Sequence, residues 1–167
     1  MPISGDIYKQ IGRTSAGAVS IVAACDPLKT SIVALTVSSF VTLSFEPPLV
    51  MFAIQHNADS FGPMVASKAF GVSLLNSEQA EIAQRFASKG REKTAVTRFD
   101  QGAVLQAPLI PGSLAQIECR TDQVVKSGDH AIVVGLVESA RIGEGQPLLY
   151  FNRRFGSFTP LVAESRN

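Results

Sequence analysis

Several signatures of nucleotide and hydrolase chemistry are missing from these 167 residues. There is no G-x-G-x-x-G turn, which excludes a doubly wound dinucleotide fold, and no G-x-x-x-x-G-K loop for a nucleoside triphosphate. No G-x-S-x-G elbow presents a hydrolase serine. Cysteine is scarce: Cys25 and Cys119 stand far apart and read as small buried hydrophobes rather than a disulfide. With only His56 and His130 beside them, they make no structural zinc site. Charge is nearly balanced at a formal +1, which leaves nucleic acid no electrostatic footprint. The N-terminus has no basic segment followed by an apolar run, so no secretion signal is expected. The longest greasy stretch, Ile32 to Phe45, is interrupted by Thr and Ser and is too short for a bilayer. A cytoplasmic protein with no membrane or nucleic-acid partner is expected.

What remains is ample core material: 46% of residues are hydrophobic and 17% charged. A chain of this size builds one packed domain without staples, so residues 1–167 are read as a single domain. Ser4 and Asp6 cap a short helix whose Ile3, Ile7 and Ile11 form one apolar face. Ala18 to Cys25 reads as a buried strand, Asp26-Pro27-Leu28-Lys29 as a turn, and Ser31 to Phe40 as the returning strand. Glu46-Pro47-Pro48 stops pairing, because proline offers no N–H to a ladder. Leu49 to Ile54 is an apolar strand, followed by the polar loop from Gln55 to Ser60 and a short helix to Lys68 with Phe61, Met64 and Val65 inward.

Ala69 to Leu75 is the next strand, and Asn76-Ser77-Glu78-Gln79 is a capping box opening a helix to about Phe86. A basic loop follows, from Ala87 to Lys93. Residues Gln101 to Gly112 read as irregular, with Pro108 and Pro111. Leu114 to Val125 and His130 to Ile142 alternate apolar with polar and form a hairpin about Lys126 to Asp129. Pro147 to Phe151 reads as the last clear strand, and Asn152 to Phe158 as an arginine and aromatic tail. Many short strands with few helices give a mainly β fold with peripheral helices, an antiparallel barrel closed or half closed.

One stretch organises the rest. Thr36-Val37-Ser38-Ser39-Phe40-Val41-Thr42-Leu43-Ser44-Phe45-Glu46-Pro47-Pro48-Leu49 mixes small hydroxyls with apolar residues and ends at a double proline. Small donors leave room for a flat, polar-edged ligand to approach main-chain N–H groups. The stretch resembles the T-x-S-S-F-x-S-V-S-x-x-P-P-L signature of the short-chain flavin reductases, the reductase components of two-component flavin-dependent monooxygenases. The resemblance runs from about Arg13 to Gly156 and implies the FMN-binding split barrel, a Greek-key antiparallel β-barrel. Gly128-Asp129-His130 matches the family's G-D-H motif, Phe86-Ala87-Ser88-Lys89 its F-A-x-K loop, and Pro147-Leu148-Leu149-Tyr150 with Phe155-Gly156 its C-terminal box. Ala34 stands where the family usually has Gly, and Ser73 where it usually has Asn.

The resemblance implies an NAD(P)H:flavin oxidoreductase passing hydride from NADH or NADPH to FMN or FAD, and supplying reduced flavin to a partner monooxygenase, as a homodimer. Thr36, Val37, Ser38, Ser39 and Ser44 are then expected at the flavin, with Gln55, Asn57, Ser60 and Phe61 from the next loop and helix. A phosphate favours a helix start plus positive charge, which points to Ser60 and to Lys89 with Arg85 or Lys93 nearby, less to Arg91; the resemblance to the F-A-x-K loop implies Phe86 and Ala87 at the same place. The plainer reading of that cluster is a solvated basic face. Phe155 is expected to stack near flavin or nicotinamide, and Arg153 or Arg154 to meet a pyrophosphate; dimer packing is the alternative for this box. His130 is the implied catalytic residue, positioning the nicotinamide rather than moving a proton, whereas His56 is read as an ordinary loop residue. Three other readings stay open at this level: a flavin-binding protein without turnover, a same-fold enzyme reducing another acceptor such as a cobalt corrinoid, and a structural barrel with no cofactor.

Overall fold

The computed structural model describes residues 3–29, 31–88, 90 and 93–161. Ser4 accepts the Ile7 N–H and caps α1 (Gly5–Thr14). β1 (Gly17–Ala18) and β2 (Ser20–Cys25) follow, and the Asp26 carboxylate takes the Leu28 N–H at 2.9 Å to make the turn into β3 (Ile32–Val37). β4 (Val41–Ser44) and β5 (Leu49–Gln55) form a hairpin whose turn holds a cis Glu46–Pro47 bond. Then come α2 (Phe61–Ala66) and β6 (Ala69–Leu74). Asn76 accepts the Glu78 N–H and Gln79 accepts the Asn76 N–H, the capping box read from sequence, and a short 3-10 turn leads into α3 (Ala80–Ala87). β7 (Asp100–Gln101), β8 (Pro108–Leu109), β9 (Ala115–Ser127), β10 (His130–Ile142), β11 (Leu149–Phe151) and β12 (Arg154–Gly156) complete the order.

Seven strands make one antiparallel sheet in the order β3-β2-β6-β9-β10-β5-β4. Its two edge strands are consecutive in the chain, joined only by Ser38-Ser39-Phe40. Flat, such a sheet would hold its edges roughly 29 Å apart at the usual strand spacing. The four chain steps from Val37 to Val41 reach at most about 14 Å. The sheet must therefore curl until its edges meet, and the seam falls at Ser38 and Ser39. Ser39 stitches it: its hydroxyl accepts the Ala53 N–H at 3.0 Å and donates to the Ala53 carbonyl at 3.3 Å, replacing a ladder pair between the link and β5.

The curl creates two cores. Inside the barrel, Val22, Ala24, Val50, Phe52, Ile54, Met64, Phe70 and Val133 pack together, with Phe52 and Phe70 edge to face at 5.3 Å. Outside, Ile21, Ala23, Leu75, Ala83, Phe86, Ile110 and Leu148 pack beneath α3. Both faces of β2 are thus covered from Ser20 to Ala24, which is why the strand reads as a continuous apolar run rather than an alternation, while Cys25 at its end, expected to be buried, is exposed. Gly135 is required by packing: a Cβ there would enter the Phe70 ring, and β10 bulges beside it.

Some expectations need correction. Residues 101–112 are not wholly irregular, since β7 pairs with β8 and the buried Glu118 carboxylate accepts the N–H groups of Val104, Leu105 and Ala107. The C-terminal tail folds back: β12 pairs with β11, which pairs with β1. Its two-residue turn places Asn152 and Arg153 at φ 46° and 64°, the left-handed pair of a type I′ hairpin. The returning strand of the first hairpin ends at Val37 rather than Phe40, because residues 38–40 cross the seam. Hairpin β9–β10 turns at Gly128-Asp129 alone, with Gly128 at φ 63°. α1 forms as read, yet buries none of its residues.

Candidate functional site

A cleft of about 580 Å³ opens along the seam. One wall is β3 and the link that follows it. The opposite wall is the end of β5, the loop after it and the start of α2, and the end of α3 with residues 88–94 closes one side. Of the residues expected at the flavin, Thr36, Val37, Ser38, Ser39, Gln55, Asn57, Ser60, Phe86, Ala87 and Lys93 line it, and so does His130. Two do not. Ser44 sits in β4 opposite Leu49, and Phe61 turns toward the barrel core with its ring 5.0 Å from that of His56. Phe155 lines an adjoining hollow instead. Lys89 and Arg91 lie outside the described residues.

The hydroxyls have distinct duties. Thr36 Oγ1 donates to the Ala83 carbonyl at 2.7 Å and ties α3 to β3, so Thr36 offers the cleft its main chain. Ser39 Oγ is spent on Ala53. Ser38 is exposed at the rim. β3 has a strand partner on one side only, so alternate N–H and C=O groups face the cleft. Ser73, at the departure from the family pattern, turns away: its buried hydroxyl accepts the Ile110 N–H at 2.9 Å. Ala34 lines the cleft with its methyl.

Charge in the cleft comes from lysines more than from helix geometry. α2 has six residues, and Ser60 caps it with no side-chain hydrogen bond, so its dipole is small. Lys93 reaches into the cleft, where burial lowers its pKa and the Asp59 carboxylate opposes that effect. Asp59 also accepts the Gly90 N–H at 3.4 Å. Lys29 joins from the far end of β3. Lys29 and Asp59 were missed in the sequence; both sit in turns that only barrel closure brings to the site.

His130 opens β10 opposite Gln55 of β5 and Ser127 of β9. Its Nδ1 lies 2.7 Å from Asp129 Oδ1, and this hydrogen bond, with the imidazole's charge, holds the Asp129 carboxyl below the ordinary aspartate range. With Nδ1 engaged by the carboxylate, Nε2 is the ring nitrogen left for a ligand.

These donors suit a flavin. An apolar strip of Ala34, Leu35, Ile54, Ala58 and Phe86 matches the flat ring, open strand groups and Ser38 match its carbonyl edge, and Lys93 matches a phosphate. The cleft volume falls in the range of about 300–1,000 Å³ usual for such ligands.

Comparison with known proteins points the same way. The model of the flavin reductase like domain matches residues 12–159. The reductase component of 4-hydroxyphenylacetate 3-monooxygenase from Thermus thermophilus is 38% identical over 122 residues, 72% of this chain and 76% of that protein. The NADH:riboflavin 5'-phosphate oxidoreductase of Streptomyces pristinaespiralis is 35% identical over 127 residues, 75% of this chain and 72% of that one. Among solved structures, the NADH:FAD oxidoreductase of Streptomyces globisporus C-1027, in complex with NAD and FAD fragments, superposes with a TM-score of 0.86 at 26% identity, covering 98% of this chain and 99% of that chain. With its seam, cleft and G-D-H turn in place, the chain belongs to the flavin reductase-like domain family.

Proposed function

We propose that this protein is an NAD(P)H:flavin oxidoreductase that delivers reduced FMN or FAD to a flavin-dependent monooxygenase. The observation that carries this reading is the cleft on the seam, where an open strand edge, an apolar strip and a lysine converge on one flat space. Bound flavin supplies the acceptor for the hydride of NAD(P)H.

The chain's own residues bind and orient. Main-chain groups from Thr36 to Ser39 hold the ring's polar edge, where donors favour the charge that grows on reduction. Gln55 and Asn57 flank it, Ala87 and Phe86 close the apolar side, and Ser60 and Lys93 take the phosphate end. His130, fixed by Asp129, offers Nε2 to the carboxamide of a nicotinamide. Direct hydride transfer needs no acid or base, so His130 sets geometry rather than moving a proton.

Residues 1–167 act as one domain in this reading, working in the cytoplasm where NAD(P)H is held. No helix among the described residues is long and apolar enough to cross a membrane. The assembly we propose is a homodimer. Ile3, Ile7, Tyr8 and Ile11 of the α1 segment are each more than half exposed and cover nothing in their own chain. A formal charge of +1 sets little repulsion against self-association. Light scattering on Ile7→Glu tests this, with a shift to monomer expected.

The enzymatic reading is tested by titrating FMN and FAD into the protein, recording the flavin absorbance bands, then adding NADH anaerobically. Bleaching with multiple turnovers of added flavin is expected. Tight flavin with no NAD(P)H oxidation sinks the reading.

A further inference from the structure

Among the described residues two carboxylates line the cleft, and they are engaged differently. Asp26 is buried and serves its own turn, accepting the Leu28 N–H at 2.9 Å. Asp59 is exposed and turns to the segment that follows α3, where it accepts the Gly90 N–H at 3.4 Å and acts by its charge on Lys93. A main-chain N–H and an ammonium are what an oxyanion takes. We propose that Asp59 is a built-in competitor for the flavin phosphate, contending with it for Gly90 and Lys93, and that it thereby sets how readily the flavin leaves. The proposal rests on the flavin reading of the cleft and adds to it a residue that limits affinity instead of supplying it.

Charge decides the contest. At neutral pH a phosphomonoester brings about two negative charges and three acceptor oxygens, whereas a carboxylate brings one charge and two oxygens. The phosphate therefore prevails. It does so only by breaking the Asp59 contacts and leaving a second anion beside it, and two anions about one ammonium are less well neutralised than one. Asp59 is exposed, so solvent keeps the effect mild. The worth of such a contact corresponds to about a fivefold change in affinity.

The fold does not need the Asp59 carboxylate. The turn that carries it is held by main-chain bonds, from the Ala58 N–H to the Gln55 carbonyl at 3.1 Å and from the Phe61 N–H to the Ala58 carbonyl at 2.9 Å. The side chain is thus free to serve the cleft. A protein that hands its reduced flavin to another enzyme gains from a ceiling on affinity, and affinity differences between related complexes lie mostly in the rate of leaving.

The test compares FMN with riboflavin, which keeps the ring and the ribityl chain and lacks the phosphate. In fluorescence titrations of the whole protein, Asp59→Asn is expected to tighten FMN about fivefold and to leave riboflavin unchanged. Asp59→Ser, which also removes the charge, is expected to behave alike. Stopped-flow traces should show FMN leaving more slowly by about the same factor. In a Lys93→Gln background Asp59→Asn gains less for FMN, because the contested cation is gone. Weaker FMN binding in Asp59→Asn makes Asp59 a ligand contact and overturns the inference. Equal shifts for FMN and riboflavin, no shift in either, a gain undiminished in the Lys93→Gln background, or FMN that fails to bind overturn it too. A protein that binds FMN yet oxidises no NADH overturns the reductase reading alone, and the comparison of the two flavins still decides the role of Asp59.

Discussion

The Ser39 hydroxyl holds both main-chain groups of Ala53, accepting its N–H and donating to its carbonyl. A side chain thus does the work of a strand residue where the sheet closes on itself. Ser39→Ala leaves two part-buried groups unpaired and is expected to cost about 1–3 kcal/mol in urea unfolding. Because the seam is also the cleft wall, flavin affinity measured by fluorescence quenching falls with it. Unchanged stability shows that water replaces the hydroxyl and that the seam needs no stitch.

Glu118 is 2% exposed and gathers Val104, Leu105 and Ala107 N–H groups at 3.0, 2.7 and 3.4 Å. Glu118→Gln replaces an acceptor oxygen with an NH₂ that faces donors. A loss of about 2–3 kcal/mol is expected, in the range of hydrogen bonds to a charged group. Limited proteolysis is expected to open the chain within residues 102–107 first; cleavage elsewhere argues that the loop is held by other contacts.

Asp129 titrates below the ordinary aspartate value because His130 bonds and charges its surroundings. A lowered folded value means that the pair's contribution is present above the ordinary aspartate range and is lost as pH falls through the lowered value. His130→Gln should move the Asp129 midpoint back upward in carbon NMR titrations. Asp129→Asn should raise the KM for NAD(P)H severalfold while kcat changes less, as expected when a ring loses its orienting partner. An Asp129 midpoint indifferent to His130 contradicts the pairing.

Cys119 is buried, and its thiol is pushed up to about 12, by burial first and by the neighbouring Glu118 charge second. The folded state keeps its proton longer than the unfolded chain does, so stability falls as pH rises from about 9 toward 12. Cys119→Ala flattens that part of the profile, at the cost of a small cavity. Native alkylation should modify the exposed Cys25 and spare Cys119 until unfolding; equal rates refute the burial argument.

The periodic elements were legible. β9, β10, the Asn76–Gln79 box and the continuous apolar run of β2 follow from local pattern, and most of the cleft follows from the Thr36–Ser39 stretch. What stayed hidden depends on long-range closure. β7 and β8 are two residues each, and Pro108 masks the second. β12 is preceded by an arginine in a left-handed turn that glycine or asparagine usually fills. Thr36 and Ser39 read as ligand hydroxyls, yet both are occupied by backbone carbonyls 47 and 14 residues away. Ser44 shares their alternation but lies past the seam, where β4 turns back along β5.

β3 ends the sheet with one row of amides and carbonyls that no strand takes. Exposed rows of this kind invite other chains to add on. A flat heterocycle lying there serves as an eighth, non-peptide strand, capping what the polypeptide leaves open. Loading with coenzyme should therefore slow amide exchange along residues 32–37 and make the protein less prone to clump, so that solubility itself becomes a readout of occupancy.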